Sequence, residues 1–436
     1  MAESAAQSSA ESAAQPAART STPTSGPPAV RRRLSRRTGW MPLALLILNQ
    51  LLAGVGVASG IAVGGLLAEQ LTGTVTMAGF AQTSSVLGAA LVAIPLARLA
   101  TRAGRHVALA AGYGLALVGT LLIFAASASG SVVVLFIGLA AFGAASAAGL
   151  QSRFAATEVA SKGYEARSMS IVLWATTLGS VAGPNLSQVG SDLGRSLGIE
   201  PLAGPYLFSG AAFALSTLLA AFLLRTPPAG QLAGEAAPVA ALGLRDALRI
   251  ALGQPKAVFA MVAIVCSQTI MVGVMVMTPV HMHHQGLSLG LIGLVLSVHI
   301  LGMYGASPLM GWLADRIGPS RVIFLGVIVF AAAVALGAVL APDDMIGLPI
   351  ALGLLGLGWS AGMIGGSALL TRTVEQRIRV PLQGATDAAM NLGAAVAAAA
   401  SGLLLGWGGF TAVNGFAALV LIPIIFFGLR TLSPRR

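Results

Sequence analysis

Met271 and Met275 stand four residues apart, and so do His299 and Met303. On a helix that spacing puts both members of a pair on one face, a turn apart. Thioether sulfur is a soft ligand and imidazole a borderline one, a set that suits Cu(I) and discriminates against Mg²⁺ and Ca²⁺. The pairs flank a turn near Gln285, with Met271 fourteen residues before it and His299 fourteen after. Two antiparallel helices joined there hold the pairs at similar depth, because each rises equally per residue. The same residues admit other chemistry. Methionine is a routine gap-filler in apolar packing. A histidine inside an apolar run marks a pathway or a polar pair, so His299 is also suited to carrying a proton or hydrogen-bonding an organic solute. His281, His283 and His284, just before the turn, read either as a metal-collecting mouth or as a polar interfacial turn.

The segments around these residues belong in lipid. The chain has 436 residues, of which 56 % are hydrophobic and 9 % charged, and a mean hydropathy of +0.86. A soluble protein carries roughly 25 % charged residues. Apolar runs between charged or turn-rich breaks give twelve expected spans: 42–64, 76–96, 107–127, 132–152, 168–190, 204–224, 257–280, 289–311, 322–341, 347–369, 384–405 and 410–429. The 55 glycines fit close helix packing in lipid. An all-α membrane protein follows, with a tail 1–38, a six-helix half 39–225, a linker 226–256, a second half 257–430 and a short tail 431–436. The first 38 residues read as a disordered tail and not a cleavable leader, because the apolar run after them is too long. A short surface helix is expected at Leu244–Leu252.

Charge supports the count. With both termini on one side, 24 of the 25 Lys and Arg fall on that side, leaving only Arg195 opposite. Glu69, Asp192, Glu200, Asp343 and Asp344 lie opposite too. This is the positive-inside bias, which places both termini in the cytoplasm of a multi-pass plasma-membrane protein. It accounts for the net charge of +11 without nucleic acid. The single Cys266 forms no internal disulfide.

The segment Leu99–Gly104, LATRAG, recurs 214 residues later as LADRIG, Leu313–Gly318. Leu178-Gly179 and Thr157 match Leu392-Gly393 and Thr371 at the same offset. Two related halves are the expected build of an alternating-access carrier. Here the chain resembles the major facilitator superfamily, across about residues 40 to 430. In that family the loop between helices 2 and 3 reads roughly G-x-L-A-D-R-x-G-R-R. Gly311, Asp315, Arg316, Gly318 and Arg321 fit it well; Arg102, Gly104 and Arg105 keep part of it, with Ala97 for the Gly and Thr101 for the Asp. The resemblance implies that the Asp helps lock the cytoplasmic side by ion pairing, a role Thr101 does not fill. Gly179, Gly183 and Pro184 resemble the G-x-x-x-G-P pattern on helix 5 of many antiporters in the family. They read equally as ordinary small-residue packing.

The two Met/His pairs resemble, more narrowly, a subgroup of bacterial copper importers, in which such pairs on helices 7 and 8 handle the metal. Close relatives of that subgroup transport riboflavin. The resemblance implies a secondary transporter with copper as substrate, and a small organic solute such as riboflavin or a drug as the alternative. A non-transporting sensor or scaffold is the alternative from another class. The expected substrate-binding residues are Met271, Met275, His299, Met303, Asn49, Gln50, Gln268 and Asp387. The first four are the expected metal ligands. Arg102, Gly104, Arg105, Asp315, Arg316, Gly318, Gly179, Gly183 and Pro184 are the expected gating residues. Asp387, about a turn inside the basic end, reads as a cation or proton site or as an acid placed by the helix dipole. No phosphate loop, GxSxG or HExxH is present, so no enzyme and no hydrolysis-driven pump is expected. No cofactor is expected, and copper enters only as substrate. The expected partners are the lipid bilayer and the transported solute or ion, around a monomer.

Overall fold

The computed structural model describes residues 40–159, 165–224, 243–340, 344 and 346–432. The tail expected over 1–38 and most of the linker lie outside them. Twelve long helices cross in sequence: α1 (Trp40–Thr72), α2 (Thr76–Ala103), α3 (Arg105–Ser129), α4 (Val132–Phe142, continuing past Gly143 as Ala144–Val159), α5 (Glu165–Ser196), and α6 (Pro205–Leu218, ending in a π-turn, Leu219–Leu223). After the linker come α7 (Pro255–His284), α8 (Leu289–Ile300, a π-turn at Leu301–Gly305, then Ser307–Arg316), α9 (Pro319–Val339) and α10 (Gly347–Thr373). The stretch Gln376–Leu432 is two helices, α11 and α12, divided where Gly408 and Gly409 leave helical geometry.

By length and hydropathy alone, ten helices of the described residues qualify as membrane spans. Two facts reconcile ten with twelve. The stretch Gln376–Thr431 is one continuous run of 56 residues, about 84 Å of helix against a hydrocarbon core of about 30 Å. The other is α5, 32 residues long, whose Arg167, Asp192 and Arg195 and polar interior lower its hydropathy. The helices outrun the expected spans at several ends, and Glu69 sits in the last turn of α1 and not in a loop.

Local chemistry sets the ends. Pro255, Pro319 and Pro205 open α7, α9 and α6, where a missing N–H costs nothing. The hydroxyls of Ser131 and Ser288 accept from Val134 N and Leu291 N to cap α4 and α8. Asp344 accepts from the amides of Ile346 and Gly347 ahead of α10, which holds its carboxyl below the usual range. The repeated motif survives as backbone: Gly104 and Gly318 end α2 and α8 with φ of 101° and 93°, a region that favours glycine.

In the first half α1 packs on α5 and α6, and α3 on α4 and α6; in the second, α7 packs on α10 and α11, and α9 on α10. Gly179 and Gly183 of α5 lie against α1: a Cβ on Gly179 would stand 2.1 Å from the Leu51 carbonyl, and one on Gly183 2.7 Å from Ala58 Cβ. Two members of the pattern expected to gate, Gly179 and Gly183, thus lie on a seam of two helices within one half.

Candidate functional site

The halves meet along two seams. In the first, α2 crosses α11: a Cβ on Gly79 would lie 2.2 Å from the Ala398 carbonyl, and one on Gly402 2.7 Å from that of Thr76. Thr83 Oγ1 donates to the Ala395 carbonyl at 3.0 Å. In the second, α5 crosses α8: a Cβ on Gly293 would lie 2.4 Å from the Pro184 carbonyl. Asn185 Nδ2 donates to Ser297 Oγ at 2.6 Å, and Ser297 donates to the Val181 carbonyl at 2.9 Å. A third tie is the contact between the Glu69 carboxylate on α1 and His284 Nε2 on α7, at 2.5 Å, an ion pair when the imidazole is protonated. All three lie toward the end whose loops carry the acids.

Toward the basic end the same helix faces come apart. At 100° per residue, the seam face of α2 continues as Leu87, Ala90 and Ile94, all exposed, Ile94 by 62 %. The seam face of α5 continues back as Leu178 and Trp174, the latter 47 % exposed. On α11 the face holding Ala395, Ala398 and Gly402 continues as Asn391 and Asp387, both exposed. Asp387 and Asn391 therefore look into the gap between the halves. The structure is sealed at its acidic end and open at its basic end.

The other expected residues divide. Met271, Met303 and His299 are buried and Met275 is half-buried. The two pairs do not pair across a shared hairpin, because α7 and α8 pack chiefly against other helices. The face of α7 with Met271 and Met275 also holds Ser267, which lies on Gly362 of α10. On α8 a Cβ at Gly356 of α10 would meet the His299 carbonyl and the Met303 amide. Both pairs thus turn toward α10. His299 Nδ1 donates to the Leu352 carbonyl of α10 at 2.9 Å. A carbonyl only accepts, so this contact fixes the proton on Nδ1 and leaves Nε2, which is buried without a partner, as an acceptor. Among the described residues, no three His, Cys, Asp or Glu side chains gather as a metal site.

Asn49 and Gln50 serve the first half. Asn49 Nδ2 donates to the Ser216 carbonyl of α6 at 2.9 Å. Gln50 donates to Thr176 Oγ1 at 2.9 Å and accepts from the Tyr113 hydroxyl at 2.8 Å, joining α1, α3 and α5. His281 stacks on Phe410, with centroids 4.5 Å apart and planes 4° apart. At the basic end Asp315 pairs with Arg372 of α10 at 2.6 Å, and Arg316 lies over the Trp312 ring. Thr101, at the matching position, donates to the Arg98 carbonyl of its own turn. Arg105 donates to Gln151 of α4. Arg102, beside Gly104, is exposed.

Gln268 is the expected residue with a half-buried cluster around it. Trp359 Nε1 of α10 donates to Gln268 Oε1 at 2.7 Å, and Tyr304 of α8 meets the Trp359 ring edge-on at 5.5 Å and 73°. All three are half-buried and near the middle of their helices. Together they present an amide, an indole and a phenol at mid-depth. Sequence reasoning passed over Trp359, Tyr304 and Trp174. Their signal was position: in a chain with five Trp and four Tyr, these sit inside spans and not in the interfacial belts such residues favour.

The sequence profile described as Major Facilitator Superfamily matches residues 45–291 and again 261–436. Two proteins of Bacillus subtilis (strain 168), the uncharacterized MFS-type transporters YdeG and YddS, are each 34 % identical, over 91 % and 94 % of this chain and 93 % and 94 % of theirs. The riboflavin transporter RfnT of Brucella anthropi is 29 % identical over 88 % of this chain and 94 % of its own length. Among solved structures, the nucleoside transporter NupG superposes with a TM-score of 0.68 at 16 % identity, covering 90 % of this chain and 98 % of that one. A bacterial homolog of the human lysosomal transporter Spinster, inward-facing and unoccupied, gives 0.64 at 15 % identity, over 89 % and 94 %.

Proposed function

The chain belongs to the major facilitator superfamily and is a transporter, and on that premise we propose that its solute is a small planar heteroaromatic compound of the riboflavin kind. Gln268, Trp359 and Tyr304 carry the reading. The indole and phenol offer ring faces and edges for offset or edge-on stacking, worth about 0.5–1.5 kcal/mol per pair beyond burial. The Gln268 amide supplies directional hydrogen bonds, the few placed polar groups that fix orientation in an apolar site. Trp174 brings a third aromatic surface from the other half. The 29 % identical riboflavin transporter supports the choice. Copper has the four Met and His residues turned toward α10, three of them buried, and no further observation in its favour.

The halves rock about the solute, the open basic end facing the cytoplasm in this state by the positive-inside rule. Its mirror state opens the Gly79/Ala398 and Gly293/Pro184 seams and closes Trp174 and Asp387 inward.

Purified protein titrated side by side with riboflavin and with Cu(I) tests this. Wild type is expected to bind riboflavin saturably, with affinity falling about tenfold or more in Trp359→Ala and unchanged in a Met271→Leu/His299→Asn double variant. Cu(I) binding that the double variant abolishes, with no riboflavin binding by wild type, would overturn the reading in favour of metal.

A further inference from the structure

The helix Leu244–Leu252, LRDALRIAL, plays no part in the solute path, yet it is strongly two-sided. Ala247 and Ala251 are fully buried where it packs against α7 and the stretch Gln376–Leu432. Turning at 100° per residue, one flank leads from that contact through Leu244, half-buried Leu248 and Leu252 to Arg245 and Arg249. The opposite flank carries Ile250 and Asp246. Leu252 is 65 % exposed and Leu244 50 %.

Two residues, Gly253 and Gln254, separate this helix from Pro255, where α7 begins. The helix is therefore held within a few ångströms of the point where a span leaves the bilayer, at the basic end. We infer that its Leu244/Leu252/Arg245/Arg249 flank is a docking surface for anionic phospholipid headgroups of that leaflet. A helix with leucine toward the acyl boundary and arginine beside it is the arrangement that lies in the interface plane. The arginine stems cover apolar surface while the guanidiniums reach phosphate. Lys256, exposed at the foot of α7, adds a third cation on the same side. Asp246 falls on the flank turned from the leucines, about 60° round from Arg249. The chain's own first 38 residues suit the surface poorly, since all six of their basic side chains are arginines and five fall within 31–37.

The test is amide hydrogen exchange of the full chain in nanodiscs of phosphatidylcholine alone or mixed with phosphatidylglycerol, and it needs no knowledge of the solute. Residues 243–253 are expected to exchange more slowly in the anionic discs, by about fivefold per arginine engaged. High salt should remove the difference in wild type, and an Arg245→Gln/Arg249→Gln variant should lack it, with α7 and α11 exchanging as before. Equal exchange in the two lipids, or a lipid-dependent slowing that survives salt, would overturn the proposal. Should the double variant fold poorly, the wild-type salt comparison decides alone.

Discussion

His299 is the residue at which packing and transport are most easily separated. Its Nδ1–H is held by the Leu352 carbonyl, and its Nε2 is buried without a donor. A net hydrogen bond contributes about 0.5–1.5 kcal/mol, and truncating a buried side chain adds the cost of the space left behind. His299→Ala is therefore expected to lower stability by about 2 kcal/mol, read as a drop in thermal midpoint in detergent. His299→Asn, which keeps a donor near the same carbonyl, should recover much of that. Full stability in His299→Ala together with lost transport would assign His299 to the solute instead of the fold. The spacing of Met271, Met275, His299 and Met303 made their depth legible in the sequence, because depth depends only on rise. Their rotation was not legible: both pairs turn to α10, a helix remote in sequence whose side is chosen by Gly356 and Gly362. Gln268 was legible as a polar group in a span, whereas its partner Trp359 lies 91 residues away and no local pattern links them.

At the scale of elements, the seams decide which end opens. Gly79 and Gly293 let backbone approach backbone, and a side chain at either has nowhere to move. Gly293→Val and Gly79→Val are expected to weaken the closed acidic end and favour the opposite state. In a Cys266→Ser background, a cysteine at Thr72 should then react with a membrane-impermeant maleimide at least several-fold faster. Gly415, around which a Cβ meets nothing within 4 Å, gives the control, and Gly415→Ala should leave the rate unchanged. Equal rates in all variants would mean that the seams do not govern opening. The number of helices was legible because hydropathy and the sorted arginines agree; α5 was counted as a run between charged breaks despite its weak hydropathy. The roles of small residues were less so. Gly179 and Gly293 look alike in sequence, yet one joins helices within a half and the other joins the halves, a difference set by tertiary packing.

For the whole molecule, Glu69 and His284 Nε2 make a hydrogen-bonded contact across the halves, with side chains 18 % and 39 % exposed. Pairs this accessible contribute about 0.2–1 kcal/mol. Glu69→Gln or His284→Gln should shift the balance between the two states by up to about fivefold, by the same maleimide assay. The exchanged pair Glu69→His/His284→Glu should restore it, and a swap that behaves like either single variant would deny the contact a role. The basic ends are braced unequally, by Asp315–Arg372 in the second half and by Arg105–Gln151 in the first. The departure of Thr101 from the motif was readable in the sequence, but the substitute contact on α4 was not. The twofold kinship of the halves is thus kept in backbone turns and relaxed in side-chain chemistry.

The seams have an electrical consequence. The surfaces that part and close, Gly79, Thr83, Ala395, Ala398, Gly402, Gly293, Ser297 and Val181, carry no formal charge. A membrane potential does work of about 2.3 kcal/mol per elementary charge per 100 mV, and only on charge that moves through the field. Zipping these neutral faces moves none. Voltage can enter the cycle through a charge on the solute, through a co-transported ion, through Asp387 near the basic rim, or through Glu69 and His284, which part at the acidic rim. An empty carrier of this build should switch between its states at a rate nearly indifferent to the potential across its membrane.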